Sequence, residues 1–298
     1  MKKVWITLLV LAIAGILMTG VGFALGGAGK ELYIDMAGIH LNESLKNIET
    51  AETDIGEITE LEINTASSNI KIIPSDNYGF KLNSYSNNTW FEYTFENGKL
   101  EITQKYRFSW NLLNLRFNFK VDTIEIYLPK EALLSNTVIK VTSGTLNADG
   151  LDCDNVSVKT TSASLSMRKI ISKNIRLSCT SGTVNLSDCS ADKFDFDFTS
   201  SRLTATGIQS NEMLINGISG SATIDGEIKG STKINIISGN VNMTILGNKN
   251  DYSFVSSVTA GSVFVDGNPA NGDFTNASAE NTVDVNITSG TARVTFSD

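Results

Sequence analysis

Histidine occurs once in the 298 residues, as His40, and cysteine and proline three times each. So little histidine and cysteine leaves little material for a zinc site, a His-based catalytic triad or a disulfide framework. The scarcity of proline argues against a Pro-rich linker protein, and 41% hydrophobic residues are enough to bury a core. Positive charge is also short, at 24 Lys+Arg against 32 Asp+Glu. That balance lacks the basic footprint of a nucleic-acid-binding protein, and no nucleic-acid partner is expected.

What the chain does have begins at its N-terminus. Lys2 and Lys3 precede an uncharged run from Val4 to Gly29, rich in Leu, Ile, Val, Ala and Gly. At helical rise this run covers about 39 Å, enough to span a hydrocarbon core of about 30 Å. Lysines before it and Glu31 and Asp35 after it predict a single-pass anchor over 1–29, with a cytoplasmic N-terminus and an extracytoplasmic remainder. A cleaved signal peptide is the rival reading, since Gly22-Phe23-Ala24 and Gly26-Gly27-Ala28 supply the small residues that a signal peptidase prefers. Without Lys2 and Lys3 the remainder carries 22 basic and 32 acidic residues, a net of −10. Such a surface disfavours electrostatic adhesion to anionic lipids or polymers.

A nineteen-residue repeat dominates the second half. Thr142-Ser143-Gly144, Thr161-Ser162-Ala163, Thr180-Ser181-Gly182, Thr199-Ser200-Ser201, Ile218-Ser219-Gly220 and Ile237-Ser238-Gly239 place their serines 19 apart five times running. Looser copies follow at Thr259-Ala260-Gly261 and Thr288-Ser289-Gly290. A fixed period of this length marks a solenoid. Within each repeat the apolar residues alternate, as in Leu165/Met167 and Val184/Leu186, or Ile175/Leu177/Cys179 and Phe194/Phe196/Phe198. Alternation means strands. The predicted fold is all-β: a parallel β-solenoid over 140–298, with two short strands per coil and a corner at each Ser-Gly. Stacked coils advance by about 4.8 Å. Cys153, Cys179 and Cys189 read as small buried hydrophobes, with a Cys179–Cys189 disulfide as the lesser alternative.

The residues before the repeats read as part of the same body, in a domain running from 58 to 298. Leu61–Asn64 and Asn69–Ile72 alternate around Ala66-Ser67-Ser68, an early copy of the corner. Trp90–Phe95 and Lys99–Thr103 flank Asn97-Gly98, the dipeptide that a type I′ hairpin turn prefers. Phe117–Lys120 and Thr123–Pro129 supply two further strands of a hairpin region over 61–129. Residues 30–57 are expected to form an acidic stalk with a short helix around 43–50.

Taken in order, these features are an N-terminal anchor, a strand pair around Thr65–Ile72, an Asn-Gly hairpin and an Ile126-Tyr127-Leu128-Pro129 strand. Thr-Ser-Gly-Thr-Val-Asn-Leu units follow, as at Thr180–Leu186. The arrangement resembles the bacterial "putative adhesin" family DUF4097, related to toast-rack β-solenoid domains, over about residues 55–298. Its motif is a signature of fold and names no catalytic residue. The resemblance implies an envelope protein of Gram-positive type, linked to cell-wall stress systems such as the Lia-type response to membrane-active agents.

No catalytic, cofactor-binding or metal-binding residue is assigned, and no cofactor is expected. His40 has no Cys or His beside it. Asp195 and Asp197 face outward, but equivalent positions on other coils carry Lys159, Arg176 and Lys233, which makes a solvated ladder of opposite charges. One outward face stacks Thr145, Ser164, Thr183, Arg202, Ser221 and Asn240. Beside it run Asn147, Ser166, Asn185, Thr204, Thr223 and Asn242. Short polar residues are what any wet solenoid face tolerates. They are also a row of donors and acceptors able to hold an envelope glycan or a membrane-protein partner, with Thr183, Asn185, Thr204 and Thr223 at its centre. The predicted function is therefore non-catalytic binding or scaffolding at the cell envelope, in adhesion or envelope stress. An enzyme acting on cell-surface polysaccharide is the alternative, and it lacks the clustered carboxylates such an enzyme needs.

Overall fold

The computed structural model describes residues 31–35, 38–42, 47–86, 88–107, 115–117, 120–270 and 279–297. The predicted anchor over 1–29 lies outside these residues. Among the described residues, no helix is long and apolar enough to cross a membrane. The strands in chain order are β1 (Glu31–Asp35), β2 (Gly38–Asn42), β3 (Ile48–Thr53), β4 (Glu60–Ser75), β5 (Gly79–Ser84) and the hairpin β6 (Thr89–Glu96) and β7 (Lys99–Tyr106). Then come β8 (Leu115–Phe117), β9 (Asp122–Pro129), β10 (Leu133–Asp149), β11 (Asp152–Arg168), β12 (Ile171–Ser187) and β13 (Ser190–Leu246). Last are β14 (Tyr252–Val265), β15 (Asn268–Pro269) and β16 (Asn281–Ser297). The protein is all-β, and its only described helical piece is a 3-10 turn over Lys249–Asp251.

The nineteen-residue period reappears as strand register. Ser143 stands beside Ser162, Ile175 beside Phe194 and Ser181 beside Ser200, all in parallel pairing. The two strands expected per coil are arms of one strand bent at the Ser-Gly corner. We call the arm before the corner A (such as 137–141) and the arm after it B (such as 145–149). In β13 the bends interrupt the strand so little that about three coils run as one ribbon. Gly144 shows why the corner needs glycine. Its φ is +117°, and a Cβ there would lie 2.1 Å from the carbonyl oxygen of Ser68 on the coil below.

Side chains alternate as the sequence implies. Ile139 and Val141 on arm A and Leu146 and Ala148 on arm B point inward with their counterparts on β11, β12 and β13, whereas on the terminal β14 coil the arm A counterpart Val258 is exposed. A third, shorter side closes the interior, where Leu151, Ile170, Cys189 and Ile208 are buried. Its backbone ladder runs from Ile171 N–H to Leu151 C=O and from Ser190 N–H to Ile170 C=O, both 2.9 Å. Phe194, Phe196 and Phe198 are buried together, and the first two rings stack at 5.5 Å. All three cysteines are buried and free, so no Cys179–Cys189 bridge forms. Burial raises each thiol pKa, which keeps the sulfur protonated.

Spatial order departs from chain order at both ends. The last strand, β16, inserts between β13 and β14: Ser238 pairs with Ser289, and Ser289 with Ala260. At the other end β4 is flanked by β10 on one side and by β7 and β9 on the other. The early corner lies in register as the sequence suggests, with Ser67 beside Ser143. Antiparallel β5 and β3 continue the sheet beyond β9. Of the short helix expected around 43–50, residues 43–46 lie outside the described residues and 48–50 are strand. Residues 48–53 form β3, whose Ile48 to Thr53 run antiparallel to β5. Alternating Glu49/Ala51/Thr53 and Ile48/Thr50/Glu52 suit a sheet margin, and pairing with β5 outweighs a weak helical preference. The segment preceding it supplies β1 and β2, which form a small separate sheet with β8. His40 sits on β2 opposite Tyr33.

A polar knot closes the β4 end. On β4, the corner Ala66-Ser67 has the β10 corner on one side and the Gln104 side chain on the other. Gln104 Oε1 accepts from Thr65 Oγ1 (2.7 Å), Ala66 N–H (2.9 Å) and Ser67 N–H (3.0 Å). Its Nε2 donates to Ser67 C=O (3.2 Å) and to Asp122 Oδ2 (2.8 Å). The carboxamide thus does what the peptide group of one more coil would do. Buried Asp122 occupies the corner column beside Ser68, and it also accepts from Tyr85 N–H and Thr89 Oγ1, each at 2.8 Å.

Candidate functional site

Thr183, Asn185, Thr204 and Thr223 all lie on the outer face of arm B. Thr183, Asn185 and Thr223 are exposed and Thr204 half-buried. Register sets Asn185 beside Thr204 and Thr183 beside Arg202, and Thr223 follows Thr204 by one 19-residue step. The alternation that buries Val184, Leu186, Leu203 and Ala205 is what turns these four outward. Neighbours within one column hydrogen-bond along the stack, with Ser164 Oγ 3.1 Å from Thr183 Oγ1 and Thr145 Oγ1 donating to Asn69 Oδ1 at 3.0 Å. The face is flat and rich in hydroxyl and amide groups. It can offer many weak hydrogen bonds.

Arm A presents a different outer face. Arg176 lies 3.6 Å from Asp195 and 3.2 Å from Asp197, and Lys233 lies 3.9 Å from Asp284. The cations are more than half exposed, so each pair contributes only tenths of a kcal/mol to about 1 kcal/mol. Asp195 is the exception to free solvation. Burial raises its pKa, the charge of Asp197 adds to the shift, and its Oδ1 has no hydrogen-bond partner. Among the described residues no group of three His, Cys, Asp or Glu is placed to hold a metal ion.

Where arm A meets the corner, a groove of about 450 Å³ runs along the solenoid axis. One wall is an amide ladder. Asn216 Nδ2 donates to Asp197 Oδ1 (2.9 Å), Asn235 Nδ2 to Asn216 Oδ1 (2.9 Å), and Asn286 Nδ2 to Asn235 Oδ1 (3.2 Å). The other wall carries Thr180, Thr199, Ile218, Ile237 and Thr288. Sequence reasoning overlooks this site. The steps from Asp197 to Asn216 to Asn235 are visible in the period, but Asn286 joins only because β16 is inserted out of order.

Stacked, mostly parallel coils that carry broad polar faces define a repeat-built scaffold, of the kind that presents extended surfaces. The chain belongs to the Toastrack DUF4097 family, which matches residues 58–295. Similar solved structures include a "putative cell adhesion protein" from Clostridium sporogenes, at 13% identity and TM-score 0.31, covering 85% of this chain and 100% of that one. Two proteins described as "putative adhesin", from Parabacteroides distasonis and Bacteroides fragilis, are 10% and 12% identical, both with TM-score 0.43. They cover 84% and 85% of this chain and 98% of their own. No curated protein matches the chain.

Proposed function

We propose that this protein is a membrane-anchored, extracytoplasmic β-solenoid that binds or scaffolds without catalysis, in adhesion or in the response to envelope stress. The Val4–Gly29 segment would hold it to the membrane, and the coils would project their faces outward. The observation that carries the reading is the register of arm B, which sets Thr183, Asn185, Thr204 and Thr223 on one solvent-facing side. Side chains of one column, about 4.8 Å apart on a rigid sheet, lose little conformational entropy on contact, so weak bonds to a repetitive envelope polymer can add. The names given to the similar structures of Clostridium, Parabacteroides and Bacteroides agree with a surface role.

The test is the double variant Thr183→Lys/Thr204→Lys. Both side chains point away from the core, so the melting temperature should stay within about 2 °C of the parent, as for ordinary surface substitutions. Retention on envelope fractions should fall. Equal retention by parent and variant would show that this face is ordinary solvated surface.

A further inference from the structure

The groove at the arm A corner differs from the flat face in kind. It is concave, it crosses successive coils rather than following one strand, and it joins amides to aliphatic side chains. The ladder engages one N–H and one oxygen lone pair on each of Asn216 and Asn235. A carboxamide has two of each, so Asn216 and Asn235 each keep a donor and an acceptor beyond the ladder, whereas Asn286 also donates to Asp284 Oδ1. Across from them, Ile218 and Ile237 stand 51% and 54% exposed on adjacent coils. Isoleucine is an unusual choice where other coils place Thr180, Thr199 and Thr288.

We infer that this groove binds a linear polymer of N-acetylated amino sugars; the inference deepens the binding role proposed above and rests on it. An acetamido group presents one N–H, one carbonyl and one methyl. Those are the complements of an Asn amide on one wall and an isoleucine on the other. The repeat also fits. A pyranose with its glycosidic oxygen advances by a length comparable with the coil step of about 4.8 Å, and because β-1,4 linkage turns successive acetamido groups to opposite sides, alternate sugars present theirs to the Asn–Ile side. An extended peptide, at about 3.3 Å per residue, falls out of step. Charge points the same way. The middle of the groove is neutral, its one carboxylate, Asp197, is held by Arg176 at 3.2 Å, and the chain is acidic overall. A polyanion is disfavoured and a neutral polymer is not.

The experiment uses the full chain in detergent micelles and titrates chitotetraose, cellotetraose and the fully deacetylated glucosamine tetramer by calorimetry. Chitotetraose should bind saturably, and the two sugars without acetamido groups should bind at least about tenfold more weakly. The double variant Ile218→Lys/Ile237→Lys removes only exposed side chains. It should weaken chitotetraose at least about tenfold with the melting temperature unchanged, while Thr183→Lys/Thr204→Lys leaves it bound. Equal binding of chitotetraose and cellotetraose, or loss of binding in the Thr183→Lys/Thr204→Lys variant alone, would overturn the assignment to the groove. A parent chain that is retained by envelope fractions yet takes no chitotetraose would overturn this inference and leave the general binding role intact. Failure of both would remove the two together.

Discussion

Replacing Gln104 by Ala tests whether the end of the solenoid is closed by one side chain acting as a surrogate peptide. The substitution deletes five hydrogen bonds: three accepted by Oε1 and two donated by Nε2. The three that involve the backbone of Ala66 and Ser67 are open to solvent, so water replaces them at small net cost. The other two reach buried partners. Thr65 is 3% exposed and Asp122 5%. A neutral bond of this kind contributes about 1 kcal/mol and one to a carboxylate about 1.5–3 kcal/mol. The expected loss is therefore about 2–4 kcal/mol. For a body of this size that lowers the melting temperature by roughly 4–16 °C. Solenoids open from their ends, so hydrogen exchange should show the loss concentrated in β6, β7 and the Ala66-Ser67 corner, with β11 and β12 unaffected. The charged variant Gln104→Glu adds a sign. It sets a second carboxylate where Nε2 met Asp122, so at neutral pH it should be worse than Ala. It should recover at acid pH, where one proton can be shared between the two carboxyls. A shift below about 1 °C for Gln104→Ala, or a Gln104→Glu variant with no pH-dependent recovery, would refute the capping argument.

Two other outcomes follow from single polar atoms. Thr160 is buried with its hydroxyl unpartnered. Thr160→Val keeps the shape and removes the unmet oxygen, so chemical denaturation should report a gain of about 1 kcal/mol. The pKa of Asp195 is raised by burial and then by Asp197. Its charged form therefore opposes folding above that pKa, and the parent gains stability as pH falls through it. Asp195→Asn should stabilise at neutral pH, with the difference shrinking toward acid in a pH series of denaturation curves.

The middle of the fold is legible in the sequence because there the chain obeys one rule. A coil of constant length fixes its neighbour, so serines 19 apart become Ser143 beside Ser162 and Ser181 beside Ser200. The same constancy sets the inward phase and places the three phenylalanines together in the core. The ends are illegible for the converse reason. Chain spacings of 22 and 29 say how far apart the last corners are along the backbone, but not that the Ser289 coil slides between those of Ser238 and Ala260. Helical or strand preference over 43–50 is weak, and the pairing with β5 that decides it lies some thirty residues away. The candidate sites divide likewise. Thr183, Asn185, Thr204 and Thr223 fall on one face because alternation alone puts them there. The groove needs concavity, which follows from how the corner bends, and it needs Asn286, which arrives by the out-of-order strand. Gln104 was invisible as a cap because nothing local distinguishes it from any polar residue of a hairpin arm.

The core also contains a size exchange that a four-protein cycle can resolve. In the inward column at the end of arm A, Phe198 and Gly217 are neighbours one coil apart, and both are buried. A Cβ on Gly217 would lie 2.4 Å from Phe198 Cζ and 2.7 Å from Ile236 Cδ1. Gly217 has no left-handed backbone conformation to protect, so the ring is the main reason for glycine here. Phe198→Ala alone should cost about 3–5 kcal/mol, through lost burial and the cavity left behind. Gly217→Ala alone should cost about 1–3 kcal/mol, because a packed ring must move. With the ring gone that penalty disappears, and only the flexible tip of Ile236 remains near the new methyl. Alanine is preferred to glycine in a strand by about 0.5–1 kcal/mol, and its methyl fills part of the cavity. Gly217→Ala should therefore change sign, from destabilising in the parent to stabilising in the Phe198→Ala background, with a coupling of about 2–4 kcal/mol in denaturant unfolding. If Gly217→Ala carries the same cost in both backgrounds, the phenyl ring does not set the glycine. The backbone of that coil would then have to require glycine for a reason other than packing.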